Sequence, residues 1–329
     1  MVLEVVPLEV GVVRVSVSYC AMNAQNLEFS IVIPAYNRPE RLEQCLTSLA
    51  QLTYPYDRFE VIVVDDGSPV PLQTVAETFA GTLPLHVLRQ DNAGPASARN
   101  AGAAIARGDY LVFTDDDCQP HPDWLDALAR AANEFPNALI GGHTENAIAN
   151  NAYSNASQLL VDYLYDYYNQ ARGKATFFTS NNFAMPRVLF QKLGGFDTSF
   201  PLAAGEDREF CDRWRHFSFA LQYSPSMRIR HAHTLTLASF WRQHFNYGRG
   251  AYHFHRARSR RCSEPLKVEP LAFYLHLLLY PFARGEGLRA VNLSLLFLLS
   301  QLATIAGFFW EQRQQASATN HQLSDPGTD

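Results

Sequence analysis

The residues best placed to do chemistry in this sequence are carboxylates. Three short polar clusters each follow an apolar run: Pro34-Ala35-Tyr36-Asn37-Arg38, Asp65-Asp66-Gly67-Ser68 and Asp115-Asp116-Asp117. Asp115 and Asp117 are spaced i, i+2, which at the end of a strand puts both carboxylates on one face and turns Asp116 to the other. Two hard oxygen ligands, with the remaining positions left to waters and diphosphate oxygens, suit Mg²⁺ or Mn²⁺. A metal held there would neutralise charge on a departing nucleotide diphosphate. An aspartate at such a position also caps a turn or the next helix. Three such endings in one half-chain argue against that plainer reading for all of them.

Two further clusters lie downstream. Gly205-Glu206-Asp207 opens a predicted helix. A carboxylate there is either a cap favoured by the helix dipole, which would hold it ionised at neutral pH, or a general base for an acceptor hydroxyl. His231 and His233 flank one residue on a predicted strand. Such a pair suits a metal, and a strand-end histidine equally suits a structural hydrogen bond.

The elements that must position these groups alternate between strand and helix. Phe29–Pro34 is a continuous apolar run, and Phe59–Val64 and Tyr110–Thr114 are similarly short and mostly apolar, the pattern of strands buried on both faces. Pro39–Leu52 sets Leu42, Cys45, Leu46 and Leu49 on one helical face, and Ala96–Ala106 is an alanine-rich helix. The alternation predicts an α/β fold, a doubly wound and mostly parallel sheet with its ligands at the carboxyl ends of the strands. The second half reads as helices over Tyr153–Asn169, Glu206–Phe217 and Phe240–Arg258.

The chain has 329 residues, 47% hydrophobic and 18% charged, which fits a folded protein. A formal net charge of −5 gives no general attraction to nucleic acid. Five cysteines without a C-x-x-C pair argue against a zinc knuckle or a disulfide scaffold. Residues 5–19 alternate and are β-branched, which suits an added strand pair or an over-long start preceding Met22. Glu4, Glu9 and Arg14 interrupt the apolar run as a signal peptide would not.

Six motifs in order carry a resemblance. Phe29-Ser-Ile-Val-Ile-Pro-Ala-Tyr-Asn-Arg38, Val63-Val-Asp-Asp-Gly-Ser68, Gly94-Pro-Ala-Ser-Ala-Arg-Asn-Ala-Gly102, Phe113-Thr-Asp-Asp-Asp117, Gly194-Gly-Phe-Asp197 and Gly205-Glu-Asp207 resemble family 2 glycosyltransferases of GT-A fold, over about residues 29–250. The resemblance implies that Pro34, Ala35, Tyr36 and Arg38 line a nucleotide-base pocket and that Asp66 contacts base or ribose. It puts Arg99 near the base or diphosphate, Asp115 near the ribose with Asp116 beside it, and Asp117 on the metal. It makes Asp207 the catalytic base, places His231 near the metal or diphosphate, and sets Asn181 and Asn182 on the acceptor side. Glu206 is expected to turn away from the attacking hydroxyl as a structural or acceptor-side group. The family inverts the anomeric centre in one displacement. The Q-x-x-R-W motif of processive synthases is replaced here by Trp241-Arg242-Gln243-His244 and Tyr247-Gly248-Arg249-Gly250, so single-sugar transfer is expected.

Leu288–Trp310 has one charge, Arg289, and is long enough to cross a bilayer. Leu271–Ala283 is shorter and suits a re-entrant or interfacial helix. A helical hairpin packed on the catalytic domain in water is the alternative for both. Arg256, Arg258, Arg260 and Arg261 precede them and would favour anionic headgroups on a cytoplasmic side. The expected organisation is an extension over 1–28, a catalytic domain over 29–255, apolar helices over 256–312 and a polar, disordered tail over 313–329. The expected function is metal-dependent transfer from a nucleotide diphosphate sugar, UDP by the family's habit, to a saccharide or lipid-linked acceptor at the cytoplasmic face of the membrane, with no nucleic-acid partner. A sugar-nucleotide nucleotidyltransferase is a weaker alternative, because Ala35-Tyr36-Asn37-Arg38-Pro39 stands where such enzymes carry a Gly-rich loop. A non-catalytic membrane scaffold fits poorly with Asp66, Asp115, Asp117 and Asp207 all present.

Overall fold

In a computed structural model of the chain, the residues described are 14–16, 27–169, 175–262 and 269–324. The elements run β1 (Arg14–Ser16), β2 (Phe29–Ala35), α1 (Pro39–Leu49), β3 (Phe59–Asp65), α2 (Gln73–Glu77), β4 (Leu85–Arg89), α3 (Pro95–Ile105), β5 (Tyr110–Thr114), β6 (Cys118–Pro120), α4 (Trp124–Glu134) and β7 (Leu139–Asn146). They continue with α5 (Ala152–Asn169), β8 (Asn182–Pro186), α6 (Arg187–Lys192), α7 (Glu206–His216), β9 (Leu221–His231), α8 (Leu237–Cys262), α9 (Leu271–Ala283) and α10 (Arg289–Ser324).

The described strands form one sheet in the order β1-β4-β3-β2-β5-β8-β7-β9-β6. Strands β4, β3, β2 and β5 are mutually parallel, and β2 and β3, mostly apolar in sequence, are buried at every residue. Beyond β5 the sheet is mixed: β8 is antiparallel to both β5 and β7, and β6 to β9. The chain moves outward from β2 to β3 on one side and later to β5 on the other. The crevice between the carboxyl ends of β2 and β5 is therefore the topological switch point, where open α/β sheets bind ligands. One core lies under α1 and α4, with Leu42, Leu46, Trp124 and Leu128 fully buried, and a second lies under α3 and α7, with Phe113, Phe183, Phe210 and Trp214.

Of the N-terminal extension, Arg14–Ser16 pairs antiparallel with β4, so part of the alternating run does become an edge strand. Met22 lies outside the described residues. At the other end the expected disordered tail is instead helical as far as Ser324. The cause is a long-range anchor invisible to local polarity. Glu311 is 3% exposed and accepts Arg249 Nε at 2.7 Å and faces His253 Nε2 at 2.9 Å. The Arg249 guanidinium also lies 4.6 Å from the Trp310 ring centroid.

Helix α10 packs along α8 at close range. A Cβ on Gly248 would sit 1.9 Å from the Thr304 carbonyl oxygen, and one on Gly307 equally close to that of Phe245. The four arginines expected to meet headgroups are partly committed within the protein. Arg261 binds Glu209 at 2.6 Å and Asp212 at 2.7 Å, Arg258 lies 3.7 Å from Asp212, and Arg256 donates to Gln315.

Candidate active site

The site is built where β2, β3, β5 and β9 end. Strand β2 stops at Ala35, whose carbonyl accepts the Asp66 amide at 2.9 Å. The turn then passes through Asn37 at φ 54 and enters α1 at Pro39. That bend brings Arg38 and Arg41, three residues apart on the first turn of α1, toward the aspartates after β5. Tyr36 is 44% exposed at the mouth, where a base could stack on it.

The three aspartates do not alternate as strand residues would. Strand β5 ends at Thr114 and a turn follows, so each carboxylate takes its own direction. Asp115 accepts Arg99 Nη2 at 2.7 Å. Asp117 accepts Arg38 Nη1 at 2.9 Å and Arg41 Nη1 at 3.1 Å, and its Oδ1 lies 3.1 Å from His231 Nε2. Asp116 is fully buried beside it. Arg38 Nη1 is 3.2 Å from one of its oxygens, yet neither oxygen has a hydrogen bond. Burial pushes Asp116 up to about 7, with Arg38 opposing and Asp117 and Asp115 adding to the rise. Burial acts on Asp117 in the same direction, but His231, Arg38 and Arg41 outweigh it and hold that carboxyl far below its ordinary range.

Asp117, Cys118 and His231 bring one ligand atom each within 4.8 Å of one another. The carboxylate oxygen suits Mg²⁺ or Mn²⁺, and the imidazole nitrogen is a ligand that Mn²⁺ accepts more readily than Mg²⁺. Cys118 does not complete that set, because its sulfur is a soft ligand and Mg²⁺ and Mn²⁺ prefer oxygen. His233 stacks on His231 with ring centroids 4.2 Å apart, and neither of its ring nitrogens has a hydrogen-bond partner.

Asp66 lies at the floor of the crevice, but its carboxylate is engaged with the loop before α3. It accepts the Ala93 and Gly94 amides, each at 2.9 Å, and Gln90 Nε2 at 2.7 Å. In this geometry it shapes the pocket rather than offering a free edge to a base or ribose. Asp65, Ser68 and Arg89 reinforce the same turn.

Arg99 joins the two halves of the site. It is 4% exposed, and its other terminal nitrogen donates to Glu206 at 3.1 Å. Glu206 is therefore a buried partner of Arg99, not an acceptor-side group, and its second oxygen has no hydrogen bond. Burial and the neighbouring Asp207 push Glu206 up to about 7 against the pull of Arg99. Asp207 is also raised. Burial leads, and the Arg208 amide, Arg99 and the Ser180 amide oppose it. The helix N-terminus thus does not dominate as expected, because desolvation exceeds the benefit of amides at one helix end. Gly205, at φ 90, makes the bend into α7. A Cβ there would lie 2.8 Å from the Gly250 carbonyl oxygen, so α8 fixes the position of the acidic pair.

Asn182 is also not on the acceptor side. It is fully buried in β8, accepts the Trp124 indole N–H at 2.9 Å and donates to the His143 and Met227 carbonyls. Asn181, next to Ser180, accepts from the Thr179 hydroxyl. Sequence reasoning missed Arg41, whose i+3 spacing from Arg38 was the available signal. It also passed over Tyr247 of α8, whose hydroxyl accepts Gln243 Nε2 at 2.9 Å and whose pKa is pushed up to about 12, by burial first and by the charges of Asp207, Glu206 and Asp115.

A family model described as Glycosyl transferase family 2 matches residues 30–194. The chain belongs to that family. The match covers the switch-point crevice and stops before Asp207 and His231, which the fold brings back to it. Among relatives of this glycosyltransferase is glycosyltransferase AglE of Haloferax volcanii, 36% identical over 118 residues, 35% of this chain and 39% of the relative. The probable glycosyltransferase YdaM of Bacillus subtilis is 26% identical over 234 residues, 67% of this chain and 54% of that one. The chain thus spans between 39% and 54% of the length of these two relatives. The fold is similar to that of the mannosyltransferase PcManGT from Pyrobaculum calidifontis, solved with GDP-Man and Mn²⁺. That likeness has a TM-score of 0.56 at 20% identity and covers 93% of this chain and 84% of the other.

Proposed function

We propose that this glycosyltransferase moves one sugar from a nucleoside diphosphate sugar, a UDP-sugar by the family's commonest usage, to a saccharide or lipid-linked hydroxyl with inversion. The observation that carries the reading is Arg99, which ties the donor-side Asp115 to the Glu206-Asp207 pair across the crevice. The base is proposed to enter against Tyr36 and the turn formed by Pro34, Ala35 and Asp66. Arg38 and Arg41 face the diphosphate, where two guanidinium groups match phosphate oxygens. Asp117 and His231 would hold Mg²⁺ or Mn²⁺, which supplies charge neutralisation for the leaving diphosphate. Asp207 takes the proton from the acceptor hydroxyl. Its raised pKa suits a base that must hold that proton during the displacement. Calorimetry with UDP and GDP, with and without Mn²⁺, tests the donor half. Binding of at least one nucleotide should depend on Mn²⁺ and be lost in Asp117→Ala. Unchanged Mn²⁺-dependent binding in that variant would overturn the assignment.

We further propose that the chain lies on a membrane surface. Arg289–Ser317 is the described segment long and apolar enough to cross a bilayer, and 28% of its most apolar stretch is buried. Its inner face is held by α8, whose Arg249 and His253 would have to enter the hydrocarbon if α10 spanned it. Its outer face exposes Val291, Leu295, Leu298, Leu302, Ile305 and Phe309, alongside Leu275 and Leu279 of α9. That stripe suits in-plane burial. The cytoplasmic face is proposed because the nucleotide sugar is available there.

A further inference from the structure

Behind α5, which separates it from the catalytic crevice, lies a second cavity of about 680 Å³. Its floor is the end of β7, one wall is α5, and its roof is the start of α10. Helix α5 is a wall shared with the catalytic site. On one side Ser154 donates to the His233 carbonyl at 2.6 Å and Ser157 accepts Gln243 at 3.0 Å. On the other, Gln158, Leu159 and Asp162 line the cavity. The floor strand runs beside β9, with Asn146 the register partner of His231.

The lining is chemically distinctive. Asn150, Asn292, Glu286 and Arg289 border the cavity, and no hydrogen bond or ion pair engages their side chains among the described residues. Thr144 is 3% exposed, and its hydroxyl has no partner. Leu159, Leu293 and Leu296 supply an apolar side. Amides, carboxylates and a hydroxyl around a partly apolar wall match a ligand with many hydroxyls and a C–H face. Glu145 is paired with His121 and Arg228, which leaves Asp162 and Glu286 beside Arg289 and His143, a balance with no excess of cations to attract phosphate. These carboxylates do not converge as metal ligands, because the one group of described residues that does is Asp117, Cys118 and His231.

We propose that this cavity is a second saccharide site, which takes an uncharged or amino-sugar oligosaccharide and is separate from the donor crevice. The choice of a saccharide over another polyol rests on the transferase reading. The volume falls within the range of about 300–1,000 Å³ typical of small-ligand sites. Its roof is the membrane-facing helix, so a sugar chain held there would be retained beside the catalytic crevice while its end is modified.

The test is a glycan array carrying neutral, amino, phosphorylated and sialylated oligosaccharides, probed with the labelled full-length chain and with Asn292→Trp and Asn150→Trp. Both residues are exposed at the rim, so a tryptophan can fill the cavity without disturbing the core. Nucleotide binding to the same preparations is followed by calorimetry with UDP or GDP and Mn²⁺. The wild-type chain should capture neutral or amino-sugar glycans. Capture should fall by about tenfold or more in one or both variants while nucleotide affinity changes less than about twofold. Three results would each overturn the proposal: no neutral or amino glycan captured, a preference for phosphorylated or sialylated glycans, or capture unchanged in both variants. A wild-type chain that captures glycans in the cavity but binds no nucleotide would overturn the transferase reading and uphold this one.

Discussion

Glu60 and Glu206 are both buried carboxylates facing an arginine, and their pKa values move in opposite directions. Glu60 sits near the start of β3, at the far end of the sheet from the site. Its oxygens accept the Ser30 hydroxyl and the Arg107 amide, each at 2.7 Å, and the Arg107 fork at 2.8 and 3.0 Å. Burial raises its pKa, but hydrogen bonds from His86, Ser30 and Arg107 win and bring it to about 2. Glu206 has one bond from Arg99, an oxygen without a partner and a neighbouring carboxylate, and it goes to about 7. A fully hydrogen-bonded buried carboxylate stabilises the fold, whereas an under-bonded pair is kept ready to exchange protons. If Asp207 is the base proposed above, the two ends of one sheet divide the work between stability and chemistry.

Removing the arginine from each pair should separate these roles most sharply. Arg99→Met leaves Asp115 and Glu206 without their cation, at a stability cost of about 3 kcal/mol and a loss of transfer of about a hundredfold or more. Arg107→Met should cost less stability, because Arg107 is 44% exposed, and should leave transfer per folded molecule unchanged. Denaturant melts and sugar-transfer assays on both variants check this. Equal loss of transfer in the two would remove the distinction between the ends of the sheet.

Glu60→Gln should cost about 2 kcal/mol at pH 7, since the amide cannot accept all four hydrogen bonds. The sign with pH follows from the lowered value. Between about 2 and the ordinary carboxyl pKa of 4.5 the unfolded chain binds more protons, so the stability that ionised Glu60 contributes is present above 4.5 and lost as pH falls toward 2. The difference between wild type and variant should therefore shrink in acid. A difference that stays constant down to pH 3 would show that the hydrogen bonds do not depend on ionisation.

Glu206→Gln is the smaller effect and has the opposite sense. Here the folded chain binds more protons between 4.5 and about 7, so wild-type stability falls as pH rises through that window. The variant escapes that loss. It should match the wild type near pH 5 and exceed it at pH 8. Chemical denaturation across pH 5–8 reads the crossing directly, and a variant less stable at pH 8 would mean that the Arg99 pair outweighs the desolvation.

The sheet was legible because parallel strands buried on both faces are mostly apolar, even where a paired residue such as Glu60 interrupts the run. Tyr110–Thr114 needed no adjustment, and Phe29–Pro34 needed one more residue. The location of the site followed from three polar endings of such runs. The orientations within it did not. Period-two alternation fails at Asp115 because the strand has already ended, and Glu206, Asn182 and Glu311 are buried through contacts with residues 107, 58 and 62 positions away. A helix start or a polar tail looks the same in sequence whether or not a distant arginine meets it.

On the proposed mechanism Asp207 takes the acceptor proton while the donor is held elsewhere. Asp207→Asn keeps the shape of the side chain and removes its basicity. Donor affinity and sugar transfer should be measured on one preparation, with the melting temperature as a control for folding. Nucleotide-sugar affinity should stay within about twofold of wild type and turnover should fall by about 10²–10⁴. Wild-type turnover, or a defect confined to donor affinity, would contradict it and leave Asp207 as a structural group at the start of α7.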